Sequence, residues 1–204
     1  TAAVITNTNE VYFTGYNGYG HIGSNDTTLR SSYFKPSPGA AFQGKASKVV
    51  FGGNQWSGNM YTYILTTDGD IWSAGYGARG QLGQGIDTTI SGTAQLFGKV
   101  LRNTDGAKVV DVRSWGNGVY SGGTAILDNG SMMSWGDNRS GTAGNDINSL
   151  QSDSVSGATI HYDYSNSSAN SGINGFSSVP RYVIGYEPGS KTSLFGNGAL
   201  VPFN

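Results

Sequence analysis

Short apolar runs follow one another along this 204-residue chain, and turn residues separate them every few positions. Tyr63–Leu65 is followed shortly by Asp68-Gly69, and Ala125–Leu127 by Asn129-Gly130, each time before another apolar run. An Asp-Gly or Asn-Gly pair between apolar runs is a strong local indication of a β-hairpin. No stretch keeps a helical period with caps at its ends, so the pattern predicts an all-β fold.

A glycine pattern recurs about every sixty residues, a spacing typical of propellers and other repeat arrays. Gly-x4-Gly-x2-Gly occurs three times in phase, and Lys48-Val-Val50 returns as Lys108-Val-Val110 with the same spacing. No Gly-Lys-Ser/Thr follows any copy, which disfavours a phosphate-binding loop. We interpret the first glycine as a strand end and the others as a tight return. These turn glycines are Gly15, Gly20, Gly23, Gly75, Gly80, Gly83, Gly136, Gly141 and Gly144.

The repeat predicts a propeller-like array of about three antiparallel blades within one β-repeat domain, residues 1–204. The sequence begins in the middle of a unit and stops after beginning another, so we expect a partial propeller or a segment of a longer chain. The repeat units lie at 3–26, 63–86 and 125–146, with a long loop at 145–178 and the start of a further unit at 177–204.

Composition narrows the classes of partner. Only 12% of residues are charged, the net charge is −1 and cysteine is absent. Disulfides and thiolate metal sites are therefore excluded, and there is no electrostatic footprint for nucleic acid or an anionic membrane. No apolar run approaches the length of a membrane span. A neutral chain rich in Gly, Asn, Ser, Thr and Tyr is common in virion fibres and bacterial surface proteins, so we expect an extracellular or virion-surface location.

The middle repeat, LTTDGDIWSAGYGARGQLGQG (65–85), resembles the repeat of the regulator of chromosome condensation family of β-propellers. The segments 127–144 and 5–23 are similar but weaker matches, and SSVPRYV (177–183) resembles the element that opens the next family repeat. The resemblance implies a propeller scaffold. It does not transfer the family's exchange-factor or chromatin contacts, because no matching site motif occurs beyond the scaffold glycines.

Candidate catalytic and metal-binding residues are few. His21 lies inside a glycine turn, where we expect a structural role, and His161 lies near Asp163 among serines too numerous to indicate a catalytic triad. Asp68 and Asp70 flank a glycine, but the corresponding third copy has Asn and Ser, which favours a hairpin over a calcium site. A carboxylate pair for glycoside hydrolysis stays open, because the separation of such a pair is spatial. We predict no enzyme activity, no cofactor and no metal.

Two insertions relative to the family repeat, residues 52–63 and 114–123, each carry Trp, Tyr and neutral polar residues among glycines. Together with the long segment 145–178 they suggest an exposed aromatic binding face, since loops on a rigid scaffold often carry recognition. The alternative is that these aromatic residues pack between blades. The candidate binding residues are Trp56, Asn59, Tyr61, Trp115, Asn117, Tyr120, Tyr162 and Tyr164.

The leading functional hypothesis is a non-enzymatic recognition module, such as a bacteriophage tail-fibre or receptor-binding component that contacts a host-surface glycan or protein. The alternatives are a protein-binding propeller of exchange-factor or inhibitor type, a structural fibre component and a polysaccharide depolymerase. A homo-oligomer or a larger assembly is also compatible with an incomplete array, and neither nucleic acid nor a membrane span is expected.

Overall fold

The structure is a computed structural model, and it describes residues 1–36, 40–54, 58–84, 93–100, 106–130, 132–137 and 154–162. Within these ranges every regular element is a β-strand. The strands are β1 (Ala2–Ile5), β2 (Val11–Gly15), β3 (Arg30–Phe34), β4 (Ala46–Gly52), β5 (Tyr61–Thr66), β6 (Ile71–Tyr76), β7 (Thr93–Lys99), β8 (Val109–Asn117), β9 (Tyr120–Leu127), β10 (Met132–Asp137) and β11 (Ser154–Tyr162).

The strands form three antiparallel sheets, in which neighbours in sequence are neighbours in space: β1-β2-β3, β4-β5-β6-β7 and β8-β9-β10-β11. This is the predicted all-β array of repeated antiparallel units, and the prediction is confirmed. The second and third sheets have four strands each, whereas the first has three. The arrangement is that of a partial propeller.

Equivalent hairpins join β1 to β2, β5 to β6 and β9 to β10. Asn9, Gly69 and Gly130 occupy the same turn position, with φ angles of 58°, 86° and 85°. Their amides donate to the carbonyls of Thr6, Thr66 and Leu127 at 3.0 Å in all three turns. Glycine and asparagine tolerate this left-handed conformation best, which explains why the turn sequences looked alike.

Two apolar clusters hold the sheets together. One lies between the first and second sheets and contains Phe13, Phe42 and Ile64; the other lies between the second and third and contains Tyr63, Val112 and Trp135. Burying such side chains is the main stabilising contribution, about 1.5–3 kcal/mol for each fully buried large apolar side chain. The repeat unit is therefore stable only against its neighbour.

The first strand of the second sheet, β4, lies beside the first strand of the third sheet, β8. Residues at the same position in the two strands touch: Lys48 Nζ lies 2.5 Å from Asp111 Oδ1, and Ser114 Oγ donates to the Phe51 carbonyl at 2.9 Å. Both pairs are separated by 63 residues. Lys48 and Lys108, which the sequence matched at a spacing of sixty, are therefore not structurally equivalent, because Asp111 occupies the position of Lys48. Fewer residues connect β8 to β9 than connect β4 to β5. The residues of β8 are therefore displaced along the strand relative to those of β4.

Two predicted loops contain strands. Most of 114–123 continues β8 and β9 as a hairpin, and Ser154–Tyr162 within the long segment forms β11, which pairs with β10. The physical reason is that a central strand such as β10 leaves unpaired backbone groups on one side unless another strand covers them. The rest of 145–178 lies outside the described residues.

Candidate functional site

One end of the three sheets carries the glycine turns, and we call it the turn face. It consists of the β2–β3 and β6–β7 connections and of the ends of the β4–β5 and β8–β9 hairpins. The opposite end, which carries the β1–β2, β5–β6 and β9–β10 hairpins, is called the hairpin face. The glycine turns of the first and second sheets each pack against the next sheet, so the turn face is continuous across these contacts.

The first glycine of each motif sits at a strand end in the same backbone conformation. The φ angles are 102° at Gly15, 110° at Gly75 and 114° at Gly136. In the first two copies the amides of the second and third glycines then close consecutive turns at 2.8–3.0 Å. A side chain would be strained at each of these φ values, which is why glycine recurs there.

The residue that follows the second glycine of the turn is buried between two sheets. His21 and its equivalent Gln81 are both fully buried, and a Cβ at Gly75 would lie only 2.7 Å from His21 Cβ. Burial lowers the pKa of His21 to about 4. His21 is therefore a neutral structural residue at neutral pH rather than a general base.

A buried polar network fixes the second turn to the third sheet. Tyr63 Oη donates to the Gln81 carbonyl at 2.5 Å, and Trp135 Nε1 donates to the same carbonyl at 2.9 Å. Burial raises the pKa of Tyr63 well above its usual value. The tyrosine thus stays protonated, which keeps it a hydrogen-bond donor and the turn in one position.

Two predicted binding residues are buried, so they do not belong to an exposed face. Tyr61 is 0% exposed and donates from Oη to the Gly122 carbonyl at 2.9 Å, and Trp115 is 9% exposed within the core. In the structure both residues pack between neighbouring sheets. Gly122 makes room for this packing, because a Cβ there would lie 2.5 Å from the Trp115 ring.

Three other predicted residues lie on the turn face. Asn117 is exposed, Asn59 is half-buried and Tyr120 is 61% exposed. Asn117 pairs with Tyr120 at the tip of the β8–β9 hairpin. Gln81 Nε2 donates to the Val119 carbonyl at this tip at 3.0 Å, so the neighbouring sheet holds the hairpin in place.

The remaining predicted residues have no described side chain. Tyr162 ends β11, where only the backbone is described, and Trp56, Tyr164, Gly141 and Gly144 lie outside the described residues.

The turn face also contains aromatic and cationic residues that sequence reasoning missed. Tyr16 is 40% exposed, and Tyr19 packs edge-on against Tyr76 of the next sheet at 6.0 Å between centroids. Arg79 is half-buried near Asp137, at 4.0 Å. A usable signal was present: these residues occupy positions that vary between copies of an otherwise repeated turn. Repeat proteins can change such positions without changing the scaffold.

The hairpin face has a different chemistry, dominated by ion pairs. Lys45 Nζ lies 2.7 Å from Asp68, and Lys99 Nζ lies 2.7 Å from Asp70. The hydrogen bond from Lys45 lowers the pKa of Asp68 to about 2. The carboxylates of Asp68 and Asp70 therefore form ion pairs with the adjacent lysines. Within the described ranges no group of three His, Asp or Glu side chains could hold a metal ion.

The arrangement at the turn face is suited to binding: half-exposed tyrosines, amides and Arg79 are held on rigid turns. Tyrosine supplies a large contact area at small entropic cost, and the amides supply hydrogen bonds. No helix in the described part of the chain is long and apolar enough to cross a membrane.

Comparison with curated proteins finds relatives that share part of their length with this chain. It is 30% identical over 138 residues to the human E3 ubiquitin-protein ligase HERC2, covering 67% of this chain and 3% of HERC2. It is also 30% identical over 142 residues to the dog X-linked retinitis pigmentosa GTPase regulator, covering 70% of this chain and 13% of that protein. No family model matches the chain.

Solved structures match the fold more broadly. Yeast RCC1 (Prp20), in its structure with Kap60 bound, superposes with a TM-score of 0.60 at 20% identity, covering 81% of this chain and 36% of that one. Human WBSCR16 gives a TM-score of 0.58 at 22% identity, covering 78% and 36%. The chain thus has the β-propeller repeat fold of the RCC1 type, as the sequence resemblance predicted. It spans about a third of these solved chains and a much smaller part of the curated relatives.

Proposed function

We propose that this chain is a non-catalytic protein-recognition module that binds its partner through the turn face. The observation that carries the proposal is the set of tyrosines and Arg79 at variable positions of rigid, repeated turns. The proteins with the same fold support a protein partner. The solved structure of Prp20p from Saccharomyces cerevisiae is described with its binding to Gsp1p and histones, and one relative is a GTPase regulator by name.

These names favour the exchange-factor or inhibitor type over the tail-fibre type, for which no comparison gives support. Tyr120 is the central anchor in the proposal, because it is the most exposed aromatic residue among those described on the turn face and its hairpin is held by Gln81. An aromatic anchor that is already fixed loses little entropy on binding.

The test is to measure binding of the purified 204-residue protein to Gsp1p and to core histones by calorimetry. We expect saturable binding to one of them, weakened about tenfold or more by Tyr120→Ala, since a hot-spot truncation costs about 2 kcal/mol. Tyr33→Ala is the matched control, because Tyr33 is equally exposed but lies on β3, away from the turn face. Absence of binding to both probes, or equal effects of the two variants, would contradict the proposal.

A host-attachment role on an extracellular or virion-surface protein is the second candidate. Tyrosine and asparagine side chains on a face of low charge also suit a neutral glycan. A glycan array with the same protein distinguishes the two, since binding to a neutral sugar that Tyr120→Ala abolishes would favour this candidate over the first.

A further inference from the structure

The guanidinium group of Arg79 on the turn face forms no hydrogen bond with any described residue. The carboxylate of Asp137 lies 4.0 Å from its Nη1, which is beyond hydrogen-bonding distance. Arg30, at the start of β3, shows the contrast, since its Nη2 lies 2.6 Å from Asp26. In an inference that rests on the proposed function, we propose that Arg79 binds a carboxylate side chain of the protein partner, beside an aromatic residue of the partner that contacts Tyr120.

The equivalent position of the first turn is complete without a partner. Tyr19 precedes the second glycine of its turn as Arg79 does, and it packs edge-on against Tyr76 with 6.0 Å between ring centroids. Asp137 is the equivalent of Tyr76, because each follows the first glycine of its turn. The two tyrosines fill their contact, whereas the arginine and the aspartate leave theirs open. The N–H donors of Arg79 are therefore available to an acceptor from outside.

Exposure decides which of the two charges an incoming group meets. The side chain of Asp137 is only 4% exposed, whereas that of Arg79 is 29% exposed. The carboxylate thus lies beneath the guanidinium group and favours its charge from the protein side. The surface that a partner contacts at this point is cationic.

Gln81 holds this cation next to the exposed ring of the neighbouring sheet. Its Oε1 accepts a hydrogen bond from the Arg79 backbone amide at 2.8 Å, and its Nε2 donates to the Val119 carbonyl at 3.0 Å. Tyr120 follows Val119 and is 61% exposed. One buried side chain thus fixes both parts of the site, so that little conformational entropy is lost when a partner binds.

The donor geometry and the charge around it identify the class of acceptor. The planar fork of an arginine matches the two oxygens of a carboxylate, and such charge-assisted hydrogen bonds are strong. A nucleic-acid backbone is instead bound by several cations together. On the described turn face Arg30 is already paired with Asp26, and the whole chain has a net charge of −1. A single Asp or Glu side chain of a protein is therefore the acceptor that fits.

The experiment uses three blocked synthetic peptides, in which tyrosine alternates with glutamate, with glutamine or with lysine, and the 204-residue protein labelled with 15N. We expect the glutamate peptide to bind saturably, with chemical-shift changes at the Arg79 side chain and at residues 118–121. The glutamine peptide should bind about tenfold more weakly and the lysine peptide more weakly still, because only the carboxylate forms charge-assisted hydrogen bonds. Equal affinities for the glutamate and glutamine peptides, shift changes confined to other regions, or absence of binding would overturn the proposal.

Two arginine variants separate the effect of Arg79 from that of net charge. Arg79→Gln should weaken binding of the glutamate peptide by about tenfold, whereas Arg113→Gln should not, although it removes the same charge. Arg113 is the matched control because it is exposed and lies within β8, away from the turn face. The 15N spectra of the free variants show directly whether the fold is kept. Equal effects of the two variants would refute the assignment to Arg79.

A third variant and the salt dependence test the assigned chemistry. Arg79→Lys keeps the charge and loses the fork, so its affinity for the glutamate peptide should lie between those of the unaltered protein and Arg79→Gln. Added salt should weaken binding of the glutamate peptide more than that of the glutamine peptide. A reversed order of the variants, or equal salt effects, would overturn the carboxylate contact.

Failure of this inference can be distinguished from failure of the proposed function. If Gsp1p or core histones bind and Tyr120→Ala weakens that binding while Arg79→Gln leaves it unchanged, the proposed function stands and the carboxylate contact is refuted. If neither protein binds, the proposed function itself is contradicted.

Discussion

Acidification is expected to destabilise the protein through His21, which is fully buried between the first and second sheets. Desolvation opposes the charged imidazolium, and the pKa accordingly falls from 6.5 to about 4. The unfolded chain takes up a proton as the pH falls through about 6.5, whereas the folded protein does not until about pH 4. Stability is therefore complete above the unfolded pKa and decreases between these two pH values.

The magnitude follows from the same two pKa values. A pKa decrease from 6.5 to about 4 corresponds to about 3 kcal/mol in full, since each pKa unit is about 1.4 kcal/mol. Between pH 7 and pH 5 the linkage relation gives a loss of about 2 kcal/mol. This is a large fraction of the total stability of a domain, typically about 5–15 kcal/mol, so urea unfolding will resolve it.

The matched variant is His21→Gln, because glutamine already occupies the equivalent position as Gln81. Urea unfolding at pH 7 and pH 5 should show a smaller loss of stability in the variant, by about 2 kcal/mol. Asp26 and Asp111 also have lowered pKa values, from the Thr28 amide and Lys48 respectively, but both proteins share them and the difference cancels their effect. Parallel pH profiles of the two proteins would refute the assignment to His21.

Three further expectations concern stability and can be checked by urea or thermal unfolding. Gly83→Ala should destabilise the protein by about 1–3 kcal/mol more than Gly44→Ala. Both glycines have a positive φ, but a Cβ at Gly83 would lie 2.9 Å from Trp135, whereas a Cβ at Gly44 meets nothing within 4 Å. Equal losses of stability would contradict the packing argument. Tyr61→Phe should cost about 1–2 kcal/mol by removing a buried hydrogen bond, and an unchanged midpoint would count against it. Lys45→Ala should leave the unfolding midpoint nearly unchanged, since its ion pair is exposed, and a clear decrease would contradict this expectation.

The fold was predictable because its determinants are local and repeated. Gly15, Gly75 and Gly136 share one backbone conformation that few other residues adopt, so the sequence had to keep glycine at each copy. The hairpin turns at Asn9, Gly69 and Gly130 follow the same rule. A backbone conformation that requires glycine can therefore be recognised in the sequence even where the surrounding side chains differ.

The register of β8 was not predictable from the same pattern. Lys108-Val-Val110 matches Lys48-Val-Val50 in sequence, but hydrogen bonding places Asp111 at the position of Lys48. A strand's register depends on where the following hairpin closes, and Gly116 and Gly118 close it early with φ angles of 77° and 60°. Residue identity alone could not distinguish this tight hairpin from an inserted loop.

Exposure of the aromatic residues was the least predictable feature, because it depends on the facing sheet. Tyr61 is buried since Gly122, its equivalent in the third sheet, offers a carbonyl and no side chain. Tyr120 lies two residues from Gly122 and is exposed, since the β8–β9 hairpin carries it beyond that contact. In a repeat array the exposure of each residue thus depends both on the conformation of its own turn and on the residue at the equivalent position of the neighbouring sheet. In the proposed function, the residues that contact the partner are those that the neighbouring sheet leaves exposed, such as Tyr120.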